Sequence, residues 1–106
     1  MTKTEKQVQR IQQMEEILDY VQAVERSLDT ALERFEKLPS LVKKLDAYYS
    51  QHWREDYEAD EAGLLPPDLK RGLLSEDAVW DALSDYRVLV LRMLDAVKNS
   101  FTKGPF

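Results

Sequence analysis

The chain has 106 residues, a formal net charge of −5 and no cysteine. A chain of this length suits one helical domain, since two halves would each be too small to fold alone, and the missing thiols exclude disulfides, thiolate metal sites and cysteine nucleophiles. No cluster exceeds two adjacent basic residues, so a nucleic-acid backbone, which needs a basic patch, is not an expected partner.

From about Thr4 to Leu38, the residues Ile11, Met14, Leu18, Val21, Leu28, Leu32 and Phe35 recur at helical spacing and predict a long first helix. Ile17, Val24, Ala31 and Leu38 widen this stripe on one side, which suits a bundle better than a two-stranded seam, and Glu25 interrupts it. At 1.5 Å per residue such a helix is roughly 50 Å long, so one end is free to overhang and to serve oligomerisation. Pro39 is expected to end it, because the residue before a proline is pushed out of the helical region. Ser40 then caps a second helix over about 41–50 with Leu41, Leu45 and Tyr48 on its apolar face.

Ser50 offers a break before a third helix, from about Gln51 to Ala62, that Gly63 stops. Residues 63–74 carry Pro66, Pro67 and Gly72 and read as a loop with one turn around Asp68 to Arg71. Ser75 is the expected cap of a last helix over about 76–100, whose first turn holds Glu76 and Asp77 against the positive end of the dipole. Val79, Leu83, Tyr86, Val90, Met93, Val97 and Phe101 form its stripe, and a frayed tail follows from Thr102 to Phe106.

No stretch alternates as a strand does, and no internal repeat is present. The expected fold is therefore all-α: a single antiparallel bundle of three to four helices, two long ones flanking a shorter interrupted middle pair, with the first and last helices making the main seam. The longest aliphatic run, Val88 to Leu91, is far short of the roughly 20 residues of a membrane span. No apolar stretch like a signal peptide stands near Met1, so a cytoplasmic location without membrane contact is expected.

The segment from Tyr48 to Gly63 is the densest in aromatics and carboxylates. On a continuous helix His52, Asp56 and Asp60 lie in one strip at four-residue spacing, with Trp53 and Tyr57 in a second strip beside it. The first strip offers imidazole and oxygen ligands to a divalent cation. Against this stands the commoner arrangement, in which the aromatics pack inward and the carboxylates are solvated or pair with Lys70 and Arg71. A calcium loop starting at Asp56 fails, because its glycine position is Glu61 and its closing glutamate position is Pro67. No nucleophile elbow or glycine-rich phosphate loop is present among three glycines and one histidine, so no catalytic residue and no cofactor are assigned. Trp53, Trp80, Tyr49 and Tyr57 are candidate interface anchors, about three of the four being expected in the core.

Tyr48-Tyr49-Ser50, Trp53, Asp56-Tyr57, Asp60-Glu61, Gly63, Pro66, Asp68-Leu69-Lys70, Gly72 and Leu74-Ser75-Glu76-Asp77 together resemble the signature of a family of small bacterial proteins catalogued as a domain of unknown function. The resemblance implies a helical scaffold over roughly residues 10 to 98 and no known activity. Leu73 and Trp80 stand where valine and tyrosine are usual in the family. The charged and glycine positions suggest that the loop docks on the third helix, with Lys70 or Arg71 meeting Asp56 or Asp60. The functional expectation is an interaction or adaptor module that binds a protein partner or a second copy through the first helix or the surface holding Trp53, Asp56, Tyr57, Asp60, Lys70 and Arg71. The alternative is a small-ligand or divalent-metal-binding protein using helix 51–62.

Overall fold

In the computed structural model, which describes residues 1–101 and 106, every regular element among those residues is helical. The order is α1 (Lys3–Phe35), α2 (Leu38–Gln51), α3 (Trp53–Glu61), a 3₁₀ turn (Gly72–Leu74) and α4 (Ala78–Ser100). Of the tail expected to fray from Thr102, residues 102–105 lie outside the described residues. The chain divides into two compact units, Met1–Pro39 and Ser40–Phe106.

The first unit is in essence α1. Its start is a reciprocal capping box: the Glu5 amide donates to Thr2 Oγ1 at 3.1 Å and the Thr2 amide to a Glu5 carboxylate oxygen at 3.4 Å. Two of the amides that a helix start leaves without partners are thereby satisfied. The apolar stripe from Ile11 to Leu32 has nothing to pack against within this unit, and none of the helix's residues is buried.

Pro39 does not end α1. The helix stops at Phe35, the Glu36 amide still reaches the Leu32 carbonyl at 2.9 Å, and after Lys37 the next helix begins at Leu38. Pro39 and Ser40 therefore lie inside the first turn of α2, and Ser40 is not its cap. Proline is tolerated there because first-turn amides have no intrahelical acceptor to lose.

In the second unit the break falls at His52 rather than Ser50. The Ser50 hydroxyl donates back to the Ala47 carbonyl at 3.2 Å, a bond made within the helix. His52 departs to φ −128°, yet its amide bonds to the Tyr48 carbonyl at 2.8 Å and its carbonyl accepts from Asp56 at 3.1 Å. The backbone ladder thus continues across a single irregular residue, which keeps the aromatic side chains of α2 and α3 in helical register.

At the end of α3 the Leu64 amide bonds to the Ala59 carbonyl and the Gly63 amide to the Asp60 carbonyl, both at 3.0 Å. These are the two bonds of the Schellman motif, which needs a left-handed residue one past the cap. Gly63 supplies it at φ +73°. The loop makes a tight turn in which the Leu69 amide reaches the Pro66 carbonyl at 3.2 Å, with Pro67 at the position where its fixed φ is already suitable.

Ser75 closes the 3₁₀ turn instead of opening α4. Its hydroxyl and amide both donate to the Gly72 carbonyl, at 3.0 and 3.2 Å, and α4 starts three residues later at Ala78. Glu76 and Asp77 consequently precede the helix. The two described hydrophobic side chains that become buried are Leu74, on the 3₁₀ turn, and Val79, in the first turn of α4. Their contact point is where the turn packs on α3 and α4.

A side chain added at Gly63 would meet no atom within 4 Å, so Gly63→Ala isolates the conformational cost. The left-handed backbone makes that cost about 1–2 kcal/mol, to be read as a lower urea midpoint with unchanged slope. Gly63→Asn, which tolerates this conformation better, is expected to lose less.

Candidate functional site

Tyr49, Trp53 and Tyr57 follow one another at four-residue steps and build a ladder of rings along α2 and α3. Tyr49 and Trp53 are tilted with centroids 5.6 Å apart, and Trp53 stacks on Tyr57 at 5.0 Å with an interplanar angle of 16°. Such pairs add to the value of the apolar area they cover. The ladder's polar atoms are tied to the far side of the loop: Trp53 Nε1 donates to the Leu73 carbonyl at 2.9 Å, and the Tyr57 hydroxyl donates to Glu76 Oε1 at 3.3 Å. None of Tyr49, Trp53, Tyr57 and Trp80 is fully buried, and Trp80 is 60% exposed, contrary to the expectation that most would be core. The ladder is a buttress with one wet edge, because the loop it holds is too thin to cover three rings.

The carboxylates take different partners. Asp60 Oδ1 accepts from Arg71 Nε at 2.8 Å, and the same guanidinium donates through Nη1 to the Pro67 carbonyl at 3.2 Å and through Nη2 to the Pro66 carbonyl at 2.6 Å. Of the four pairings open to Lys70 and Arg71, this is the one the structure forms. A planar fork with several donors can satisfy a carboxylate and two carbonyls at once, which a lysine ammonium on a flexible stem does less well. Asp56 Oδ2 accepts from the Tyr48 hydroxyl at 2.6 Å. Burial is the main reason that the Tyr48 phenol is pushed up to about 12, with the Asp56 hydrogen bond and then the Asp56 charge adding to it. The Tyr57 phenol is raised too, first by the Glu61 charge, then by burial and by Glu76.

His52 sits 6.3 Å, ring to ring, from Tyr48 at the break between the helices. Because His52 leaves helical geometry, and Asp56 and Asp60 are engaged by a tyrosine and an arginine respectively, the strip seen on an ideal helix is not a ligand set. Among the described residues no group of three histidine, aspartate or glutamate side chains is placed to hold a metal ion. Trp53, Tyr57, Asp60 and Arg71 instead tie α3 to the loop and the residues just after it, while Asp56 ties α3 to Tyr48 of α2. Lys70 differs. It is exposed and has neither a hydrogen bond nor an ion pair among the described residues.

Beside this network lies a cavity of about 300 Å³. Leu65, Leu69, Leu73 and Leu74 form its apolar wall, while Tyr48, Asp56 and Lys70 bring the polar atoms. Residue spacing does not reveal it, since its walls come from two helices and a loop. Tyr48 and the leucines of the loop are the members that helical periodicity alone fails to assign to a site.

The sequence profile of the family described as Domain of unknown function (DUF4298) matches residues 11–96. The chain belongs to this family. The matched range takes in the aromatic ladder, the Arg71 network and the cavity. No curated protein and no solved structure matches the chain.

Two measurements test the network. Arg71→Ala is expected to cost about 1–2 kcal/mol after allowance for its partial exposure, whereas Lys70→Ala should lie within about 0.5 kcal/mol of wild type in chemical denaturation. In an alkaline titration, a raised phenol pKa means that the Tyr48 proton stabilises the fold fully below the ordinary value of 10.0 and loses that effect as pH rises through about 12. Among the five tyrosines, phenolate absorbance should show one step near pH 12 that Tyr48→Phe removes.

Proposed function

We propose that the chain is a cytoplasmic protein–protein interaction module that assembles with a second copy of itself, α1 of one protomer completing an antiparallel helical bundle with its partner. The observation that carries this reading is the apolar stripe of α1. Ile11, Met14, Leu18, Val21 and Leu28 each remain 44–58% exposed. Covering such side chains contributes about 1.5–3 kcal/mol apiece relative to full exposure, and a contiguous stripe of them is the usual mark of a binding face.

Charge supports the choice of partner. Between Gln12 and Glu33 the helix carries Glu15, Glu16, Asp19, Glu25, Asp29 and Glu33 against the single base Arg26. A matching receptor is apolar along its floor and basic on its rim. The groove between α2 and α4, about 470 Å³ in volume, has Val42, Leu83, Tyr86, Val90 and Leu91 on its walls, with the two bases Lys43 and Arg87 and the one acid Asp46 beside them. An amphipathic helix in such a groove is a common recognition mode. In this reading Trp53, Tyr57, Asp60 and Arg71 hold the loop on α3, and Asp56 holds α3 to α2 through Tyr48.

Sedimentation velocity is expected to give a dimer that Leu18→Glu or Val21→Glu weakens at least ~10-fold and that added salt loosens. A monomer mass at the highest soluble concentration would overturn the proposal.

A further inference from the structure

Two opposite charges line the cavity beside α3, and they do not pair. Asp56 and Lys70 both face it, yet the ion pair formed in this region is Arg71 with Asp60. Asp56 spends one oxygen on the Tyr48 hydroxyl, and its other oxygen has no donor among the described residues. The Lys70 ammonium likewise has no acceptor among them. Four leucines line the same cavity, one of them the buried Leu74.

We propose that this cavity binds a free aliphatic α-amino acid, whose ammonium is held by Asp56, whose carboxylate is held by Lys70, and whose side chain lies on Leu65, Leu69, Leu73 and Leu74. The chemistry selects that class. A simple amine would match Asp56 and leave Lys70 unanswered, and a simple carboxylate would do the reverse. A zwitterion with an apolar side chain satisfies both charges and covers the leucines. The volume of about 300 Å³ is at the small end for ligand sites, which fits a molecule with the bulk of one amino acid and not a nucleotide or a peptide. Tyr48 holds the Asp56 carboxylate in one orientation at 2.6 Å, so the acceptor is fixed before the ligand arrives, which lowers the ordering cost of binding. The site shares no residue with the groove or the stripe of the proposed dimer, so neither proposal rests on the other.

The experiment is isothermal titration calorimetry of the full chain with L-leucine, isocaproate, isoamylamine and glycine in parallel. Leucine is expected to bind, with glycine, the acid and the amine at least ~10-fold weaker, because each lacks one of the three contacts. Lys70→Met should lose leucine binding by ~10-fold or more while keeping the wild-type circular dichroism, and Lys70→Arg should restore most of it. The proposal is overturned if leucine gives no binding heat up to millimolar concentration. It is equally overturned if isocaproate or isoamylamine binds as well as leucine, or if Lys70→Met binds leucine like wild type. Because the readout is ligand heat and not mass, a monomeric protein that binds leucine would sink only the dimer, and a dimer that ignores leucine would sink only this site.

Discussion

Arg71 is the residue on which the second unit depends, because one guanidinium closes the loop in two directions at once. It joins the loop to α3 through Asp60, and it donates to the carbonyls of Pro66 and Pro67, the first of which also accepts from the Leu69 amide. Prolines carry no amide hydrogen, so the stretch Pro66-Pro67 can make few backbone bonds of its own. A side-chain donor with a fixed fork substitutes for the missing ladder. With the loop held, the 3₁₀ turn is brought against α3 and α4, and Leu74 and Val79 can be buried.

The same network explains why aromatics and carboxylates are so dense around α3. Each aromatic performs two tasks, stacking on its neighbour four residues away and donating to the loop: Trp53 to the Leu73 carbonyl, Tyr57 to Glu76. Each carboxylate is an acceptor for a particular donor, Asp56 for Tyr48 and Asp60 for Arg71. Partly exposed polar contacts of this kind contribute modestly one at a time, and several of them sharing one loop are what make it hold its shape. The cavity lies beside this network, its polar lining being Tyr48, Asp56 and Lys70 and its apolar lining the leucines of the pinned loop.

In the first unit the balance is different. A helix of 33 residues with a complete capping box has a well-defined start, and its stripe has no partner inside that unit. Isolated helices gain little from propensity alone and owe most of their stability to the face they bury.

Helix content was legible in the sequence because it is written in spacing: Ile11 to Phe35 and Val79 to Val97 repeat at the helical period, and no tertiary contact is needed to read that. Gly63 as a helix stop was legible for a similar reason, since the left-handed residue of a Schellman end favours glycine wherever it occurs. The capping box of Thr2 and Glu5 is a plain T-x-x-E in the sequence, and it starts the helix just ahead of the Thr4 that apolar spacing indicates. The roles of Pro39, Ser50 and Ser75 were not determined locally. Proline fits a first turn as well as it ends a helix, and a serine hydroxyl can cap the next helix or bond back to its own, so neighbouring geometry decides. The partners of Asp56 and Asp60 were beyond reach for a deeper reason. A helical wheel assumes that the helix continues, and the single irregular residue at His52, together with a loop folding back from eleven residues away, assigned one carboxylate to a phenol and the other to a guanidinium. Composition and period determined that this chain is helical; which polar atom meets which was decided only by the closure of the loop in three dimensions.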